Sequence, residues 1–248
     1  MPWRTEPTPY YVLVSELMLQ QTQVARVQQK FASFIRRFPT VYDLAAAPLG
    51  DVLEAWSGLG YNRRAKFLWQ AAQAVVRDFG GEVPHTQKEL TSLAGIGPNT
   101  AGAILAYAYN EPAVFIETNI RTVYIHHFFN DHSDAVSDDE LRQIVAVSLP
   151  LENPREWYWA LMDYGTELKA TVGGQLQRAK NYRPQSTFKG SRREVRGQVL
   201  KTLIAHRSLA MQELAALVPD SRLEEVCVML VQEGMIARRG DVFHLTDS

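Results

Sequence analysis

The chain has 248 residues, 46% hydrophobic and 21% charged, enough apolar mass for a real core in one large domain or two smaller ones. No apolar run approaches the length of a membrane span, and "MPWRTEPTPYY" lacks the basic-then-apolar order of a secretory signal. One cysteine, Cys227, excludes an intrachain disulfide, a four-cysteine zinc site and a four-cysteine iron–sulfur cluster. The net charge of −1 averages two unlike regions. Residues 172–207 hold Arg178, Lys180, Arg183, Lys189, Arg192, Arg193, Arg196, Lys201 and Arg207 against Glu194, a local balance of +8 that leaves −9 elsewhere. Such asymmetry suits a polyanionic partner, and equally a solvated linker and helix face.

Helical patterns dominate the first two thirds. "VYDLAAA", "GDVLEAW" and "RRAKFLWQAAQAVVRDF" place apolar residues three and four apart. Thr86 with Glu89 and Ser137 with Glu140 have capping-box spacing, and Gly58, Gly60, Gly80 and Gly81 stand where helices should stop. The pattern is all-α with short connections to about residue 168. "KATVGGQLQRAKNYRPQSTFKGS", residues 169–191, is polar, aperiodic and glycine-rich, and reads as a basic linker. Three short helices are then predicted over 192–206, 209–218 and 221–234. "MIARRGDVFHLTD" follows as two short strands around Arg-Gly-Asp, an order that predicts a winged helix with "RRGD" as its wing and Cys227 in its core.

"LAGIGPNTAGAIL", residues 93–105, raises the question of a phosphate site. A dinucleotide-binding fingerprint needs G-x-G-x-x-G after a strand. Here Gly95 and Gly97 are followed by Gly102, and "TQKELTSLAG" before them reads as helix. The stretch is therefore helix, tight turn, helix. Such a turn aims backbone N–H groups from the positive end of the second helix, where one phosphodiester fits. An ordinary αα-hairpin turn is the other reading.

In context this motif resembles the helix-hairpin-helix of the DNA glycosylase superfamily that includes endonuclease III and the adenine glycosylase MutY. "PWR", "TPYYVLVSELMLQQTQV", "FIRRFPTVYDLAAAPLGDVLEAWSGLGYNRRAKFLWQAAQAV" and "FIETNIRTV" follow the MutY pattern in order and at matching intervals, over residues 2–168. The resemblance implies a helix-hairpin-helix glycosylase domain over 1–168, a linker over 169–191 and a winged-helix domain over 192–248. It also implies base excision: a monofunctional glycosylase hydrolysing the N-glycosidic bond of an adenine mispaired with guanine or 8-oxoguanine. A thymine or uracil mismatch glycosylase and a non-catalytic mismatch-binding module are the alternatives.

Breaking an N-glycosidic bond calls for an acid to protonate the base and a carboxylate to face the sugar cation, with the nucleotide swung out of the duplex. Glu16 lies among Leu13, Val14, Leu17, Met18 and Leu19, neighbours that would raise its pKa. Its other reading is a surface glutamate on an amphipathic helix. By resemblance Glu16 is the acid. Glu117 takes the place where the superfamily usually has aspartate, so the carboxylate sits one methylene further out. Asn119 and Tyr109 complete the catalytic group, and Trp3, Arg4 and Asp163 the base pocket. Gln20, Gln21, Tyr61, Gly95, Gly97, Asn99 and Thr100 are the expected DNA contacts, with Gln21 and Tyr61 wedging into the duplex. Asn99 stands where bifunctional relatives carry a Schiff-base lysine, so no lyase step is expected.

Two family features are missing: the cysteines of an iron–sulfur cluster and the Nudix-like domain. No cofactor is expected beyond a monovalent cation at the hairpin, and no metal site, since His126 and His127 lack ligand spacing. The basic stretch from Arg178 to Lys201 is expected to take over the cluster's role. Glu224, Glu225 and Glu233 on the third helix of the winged helix disfavour major-groove insertion. Arg238 and Arg239, or Arg192, Arg193 and Arg196, are better DNA contacts, and a protein partner or a packing role is the alternative. The expectation is a monomer acting on double-stranded DNA in a bacterial cytoplasm (the nucleoid), with no membrane partner.

Overall fold

Local sequence decides most helix ends. The computed structural model describes residues 1–129, 135–173, 175–180 and 182–246. Helices α1 (Pro2–Thr5), α2 (Pro9–Leu19), α3 (Val24–Arg37), α4 (Val41–Ala46), α5 (Leu49–Trp56) and α6 (Arg63–Phe79) open the chain. Val27, Phe31 and Phe34 of α3, spaced four and three apart, are its buried stripe. Thr40 starts α4 with a full capping box: its side chain accepts the Asp43 N–H, and Asp43 accepts from the Thr40 N–H. Gly80 ends α6 in the left-handed conformation, φ +62°.

Helices α7 (Gln87–Ser92) and α8 (Pro98–Ile104) form the predicted hairpin, with Thr86 capping α7. Helix α8 runs into a π-helical turn, Leu105–Tyr109. Helices α9 (Thr118–Phe128), α10 (Asp138–Ser148) and α11 (Pro154–Val172) follow. The predicted Ser137–Glu140 capping box opens α10.

The chain forms two compact units that cut across the linear partition: residues 3–16 with 83–185, and residues 1–2 with 17–82 and 186–248. In the first, Phe115, Ile120, Tyr124 and Tyr158 are buried between the hairpin, α9 and α11. The rings of Phe115 and Tyr158 stand 4.2 Å apart. Gly165 brings the backbones of α11 and α9 together, since a Cβ there would lie 2.6 Å from the Asn119 carbonyl oxygen. The predicted linker is ordered where it begins. α11 extends to Val172, a 3-10 turn spans Gln175–Arg178, and Val136 bridges Ala179 through N–H bonds of 2.8 and 2.9 Å. Backbone hydrogen bonds, with the Arg178 guanidinium donating to the Phe129 carbonyl, do the anchoring here, and neither partner is marked by local composition.

The second unit packs α3 to α6 around Trp56, with Phe34 edge-on at 6.1 Å. Its C-terminal part has helices α12 (Arg192–His206), α13 (Met211–Leu217) and α14 (Leu223–Gln232). An antiparallel sheet of order β1-β3-β2 completes it: β1 (Ser208–Ala210), β2 (Ile236–Arg239) and β3 (Val242–Leu245). The hairpin β2–β3 agrees with expectation. Strand β1 adds an edge the sequence did not announce, because three residues are too few to show alternation. Cys227 is fully buried in this C-terminal part, as are Val195, Leu203, Leu230 and Phe243.

Candidate active site

Residues Val12 through Met18 are all buried, so the middle of α2 has no polar stripe, and the surface-glutamate reading of residue 16 falls. Glu16, 8% exposed, is held well above the usual carboxylate pKa, first by burial and then by the negative charge of Glu117, with Arg4 opposing. The two acids lie close enough for their charges to act on one another.

Glu117 is the residue before α9, in extended backbone, and caps nothing. Burial raises its pKa too, but Arg121 and Lys169 pull the other way. Arg121 is itself fixed by Asp138 at 2.9 to 3.0 Å. The Lys169 amine donates to the Asn119 Oδ1, while the Asn119 amide donates to the Met162 carbonyl and Thr166 Oγ1, each at 3.1 Å. Glu16 thus has apolar surroundings and one cation, Glu117 two cations. Such unequal environments divide two carboxyl groups into an acid and a carboxylate.

At two of the expected site residues the structure shows contacts the sequence did not suggest. Asn99, placed among the DNA contacts by sequence, turns inward. Its amide donates to the Ile116 carbonyl at 3.0 Å and accepts the Ile116 N–H at 3.3 Å, gripping the peptide that precedes Glu117. The expected catalytic Tyr109 instead gives its hydroxyl to the Val83 carbonyl, with its ring 6.0 Å from His85. Tyr107 takes the place beside the acids. It is 6% exposed, its hydroxyl has no hydrogen-bond partner among the described residues, and burial with the charges of Glu117 and Glu16 holds its pKa well up. The π-turn shifts the phase of the helix here, a feature frequent at functional sites. Seven consecutive buried residues, 101–107, hide which face matters, so spacing could not have chosen Tyr107 over Tyr109.

Arg4 and Asp163, both expected in the base pocket, are paired at 2.8 Å, and Arg4 also lies over Trp159 at 5.6 Å. Trp159, which the sequence did not single out, stacks on Tyr107 with rings 6.3 Å apart and 18° between planes. Trp3 is buried.

Gly95 takes φ +78° at the hairpin turn, Gly97 is the N-cap of α8, and Thr100 lies in its first turn, half-buried. In the other unit, Gln21 and Tyr61 are both left-handed, at φ +56° and +47°, and Gln20 precedes the first of them. Of the basic residues proposed as DNA contacts, Arg196 is bound to Glu233 at 2.6 Å and Arg192 to Glu225 at 3.0 Å, while Arg238 donates to the Gly240 carbonyl. Arg196, its side chain 17% exposed, is thus committed to an ion pair within the fold, whereas Arg192 and Arg238 remain about half exposed. No cluster of three or more metal-ligating side chains occurs among the described residues.

A family model described as HhH-GPD superfamily base excision DNA repair protein matches residues 14–148. An adenine DNA glycosylase of Mycobacterium tuberculosis is 31% identical over 97% of this chain and 86% of its own length. One from Buchnera aphidicola is 34% identical over 66% of this chain, which spans 47% of that relative. A thermostable thymine-DNA glycosylase shares the fold at TM-score 0.64, covering 73% of this chain and 84% of its own, with 24% identity. With more than half of its length matched by the family model, this chain belongs to the HhH-GPD superfamily of base excision DNA repair proteins.

Proposed function

We propose that this protein is a monofunctional DNA glycosylase that hydrolyses the N-glycosidic bond of an extruded adenine mispaired with guanine or 8-oxoguanine. The observation that carries this reading is a pair of carboxyl groups in unlike surroundings, Glu16 buried among apolar residues and within reach of the charge of Glu117, and Glu117 beside two cations. Glu16, whose proton is held more tightly because its carboxyl is buried and faces Glu117, donates that proton to the departing base. Glu117, the ionised partner, stabilises the oxocarbenium-like sugar. Asn119, held at both ends of its amide, and Tyr107, with an unspent hydroxyl, stand ready to orient water. Adenine as the base is supported by the names of the relatives, each an adenine DNA glycosylase.

In this reading the Gly95–Gly97 turn offers backbone N–H groups to a phosphodiester, with a monovalent cation at the turn, and Gln21 and Tyr61 fill the gap left by the base. Residue 99 offers no amine for a Schiff base, and excision leaves an intact strand. The enzyme acts as a monomer on DNA in the cytoplasm. No helix among the described residues is long and apolar enough to cross a membrane.

Duplexes holding A:8-oxoG, A:G, T:G or U:G, incubated with the protein and then treated with hot alkali, test the reading. Cleavage at adenine is expected. Cleavage only at thymine or uracil would reassign the base, and binding without cleavage anywhere would end the enzymatic reading.

A further inference from the structure

Two arginines outside the catalytic group converge on one side chain, Tyr61. Arg64, at the start of α6, is 6% exposed. Its guanidinium donates to the carbonyls of Leu17 and Met18 at 2.8 Å, to that of Gln20, to Thr22 Oγ1 at 2.9 Å, and to the carbonyls of Leu59 and Gly60 at 3.3 and 3.1 Å. It also lies 5.4 Å from the Tyr61 ring centroid. One buried cation therefore ties together the loops carrying the two left-handed residues, Gln21 and Tyr61. Left-handed backbone in a glutamine and a tyrosine is strained, and it persists only where surrounding contacts over-determine it.

The second arginine comes from the C-terminal region. Arg193, in the first turn of α12, lies over the Tyr61 ring at 5.3 Å and donates to its hydroxyl. The other arm of its fork is fixed on Ser186, at 2.6 Å to the carbonyl and 3.2 Å to the hydroxyl. A planar guanidinium can stack and donate at once, which a lysine amine cannot. The winged helix is fastened beside this point. Glu233 accepts from Arg196 and from Arg63, and the Lys66 amine donates to the Glu233 carbonyl, so the helix that begins just after Tyr61 is locked to α12 and α14.

We propose that the winged-helix region serves to hold the Tyr61 ring for insertion into the duplex, with Arg193 as the positioning residue. This rests on the reading of Tyr61 as the wedge. It gives the C-terminal region a role inside this chain, in base extrusion, in place of groove reading by its acidic third helix.

The test uses the full chain with R193A, R193K, Y61A and the double variant R193A/Y61A, each checked for an unchanged melting transition. Single-turnover excision from A:8-oxoG is measured beside the fluorescence of 2-aminopurine at the target position, which rises on extrusion. The salt dependence of Kd is measured on the same duplexes. Y61A and R193A are each expected to lower excision and extrusion at least about tenfold. R193K should fall with R193A, the double variant should be no slower than Y61A, and the salt slope should not change. Additive losses with a salt slope reduced by about one unit would make Arg193 a phosphate contact and overturn the proposal. Normal extrusion by R193A while Y61A fails would leave the brace idle. An unimpaired Y61A would remove the wedge reading itself, and this proposal with it.

Discussion

The two acids can be separated by titration. Glu16 must carry its proton to act, so excision should fall as pH rises through its raised pKa. Glu117 must be ionised, so excision should fall again as pH drops through its own. Lys169 lowers the pKa of Glu117, so K169M should move the acid limb of the single-turnover profile to higher pH and leave the alkaline limb in place. An acid limb that does not move would mean that Lys169 serves only Asn119. E16Q should cost about 10²- to 10⁴-fold in rate. It should also stabilise the fold. Burial of the charged form is what raises the Glu16 pKa, so its contribution to stability is full below the unfolded-state pKa and is lost as pH rises through the folded one. The gain in Tm of E16Q should therefore be absent below the unfolded-state pKa and grow as pH rises through the raised folded one. Y107F poses the same opposition. Removing a buried hydroxyl that has no protein partner should stabilise the fold by about 1–3 kcal/mol while slowing excision. A Y107F enzyme with undiminished excision would return that hydroxyl to mere packing.

At the scale of elements, the hairpin does more than present a turn to DNA. Its second helix carries Asn99, which closes two hydrogen bonds on the Ile116 peptide, and its π-turn carries Tyr107. N99A should therefore destabilise the protein by about 1–3 kcal/mol and lower the single-turnover rate with the Kd for mismatched duplex unchanged. Weakened binding with a normal rate would restore Asn99 to the DNA face. The helices themselves were legible because their ends are local: Thr86 and Ser137 bond the N–H three residues on, wherever the helix later packs. The Thr40 box obeys the same chemistry with aspartate in place of glutamate. The Asn99 role was not legible, because its partner is 17 residues away and is a backbone group.

For the whole molecule, the sequence reading divides the chain into 1–168, a linker over 169–191 and 192–248, and in the structure the C-terminal residues 186–248 share a compact unit with residues 17–82. Glu233 is a seam within that unit, facing Arg63 and Arg196 with its side chain 15% exposed. E233A leaves two cations opposed, and should lower stability on the order of 2 kcal/mol by denaturant unfolding. A silent E233A would mean that apolar contacts alone hold the winged helix there.

By itself the sequence determined the hairpin, the helix caps, the winged-helix order, the candidacy of Glu16 and Glu117, and the impossibility of four thiolate ligands. Each of these depends on residue type and short spacing. Only the tertiary structure decided that the Tyr107 hydroxyl is buried within reach of both acids' charges, that Asn99 bonds the Ile116 backbone, that Arg4 and Asp163 hold each other, and that Arg193 reaches Tyr61. Those outcomes depend on which distant groups must share a buried space. Desolvation and charge pairing settle that question in three dimensions, and a one-dimensional pattern does not record it.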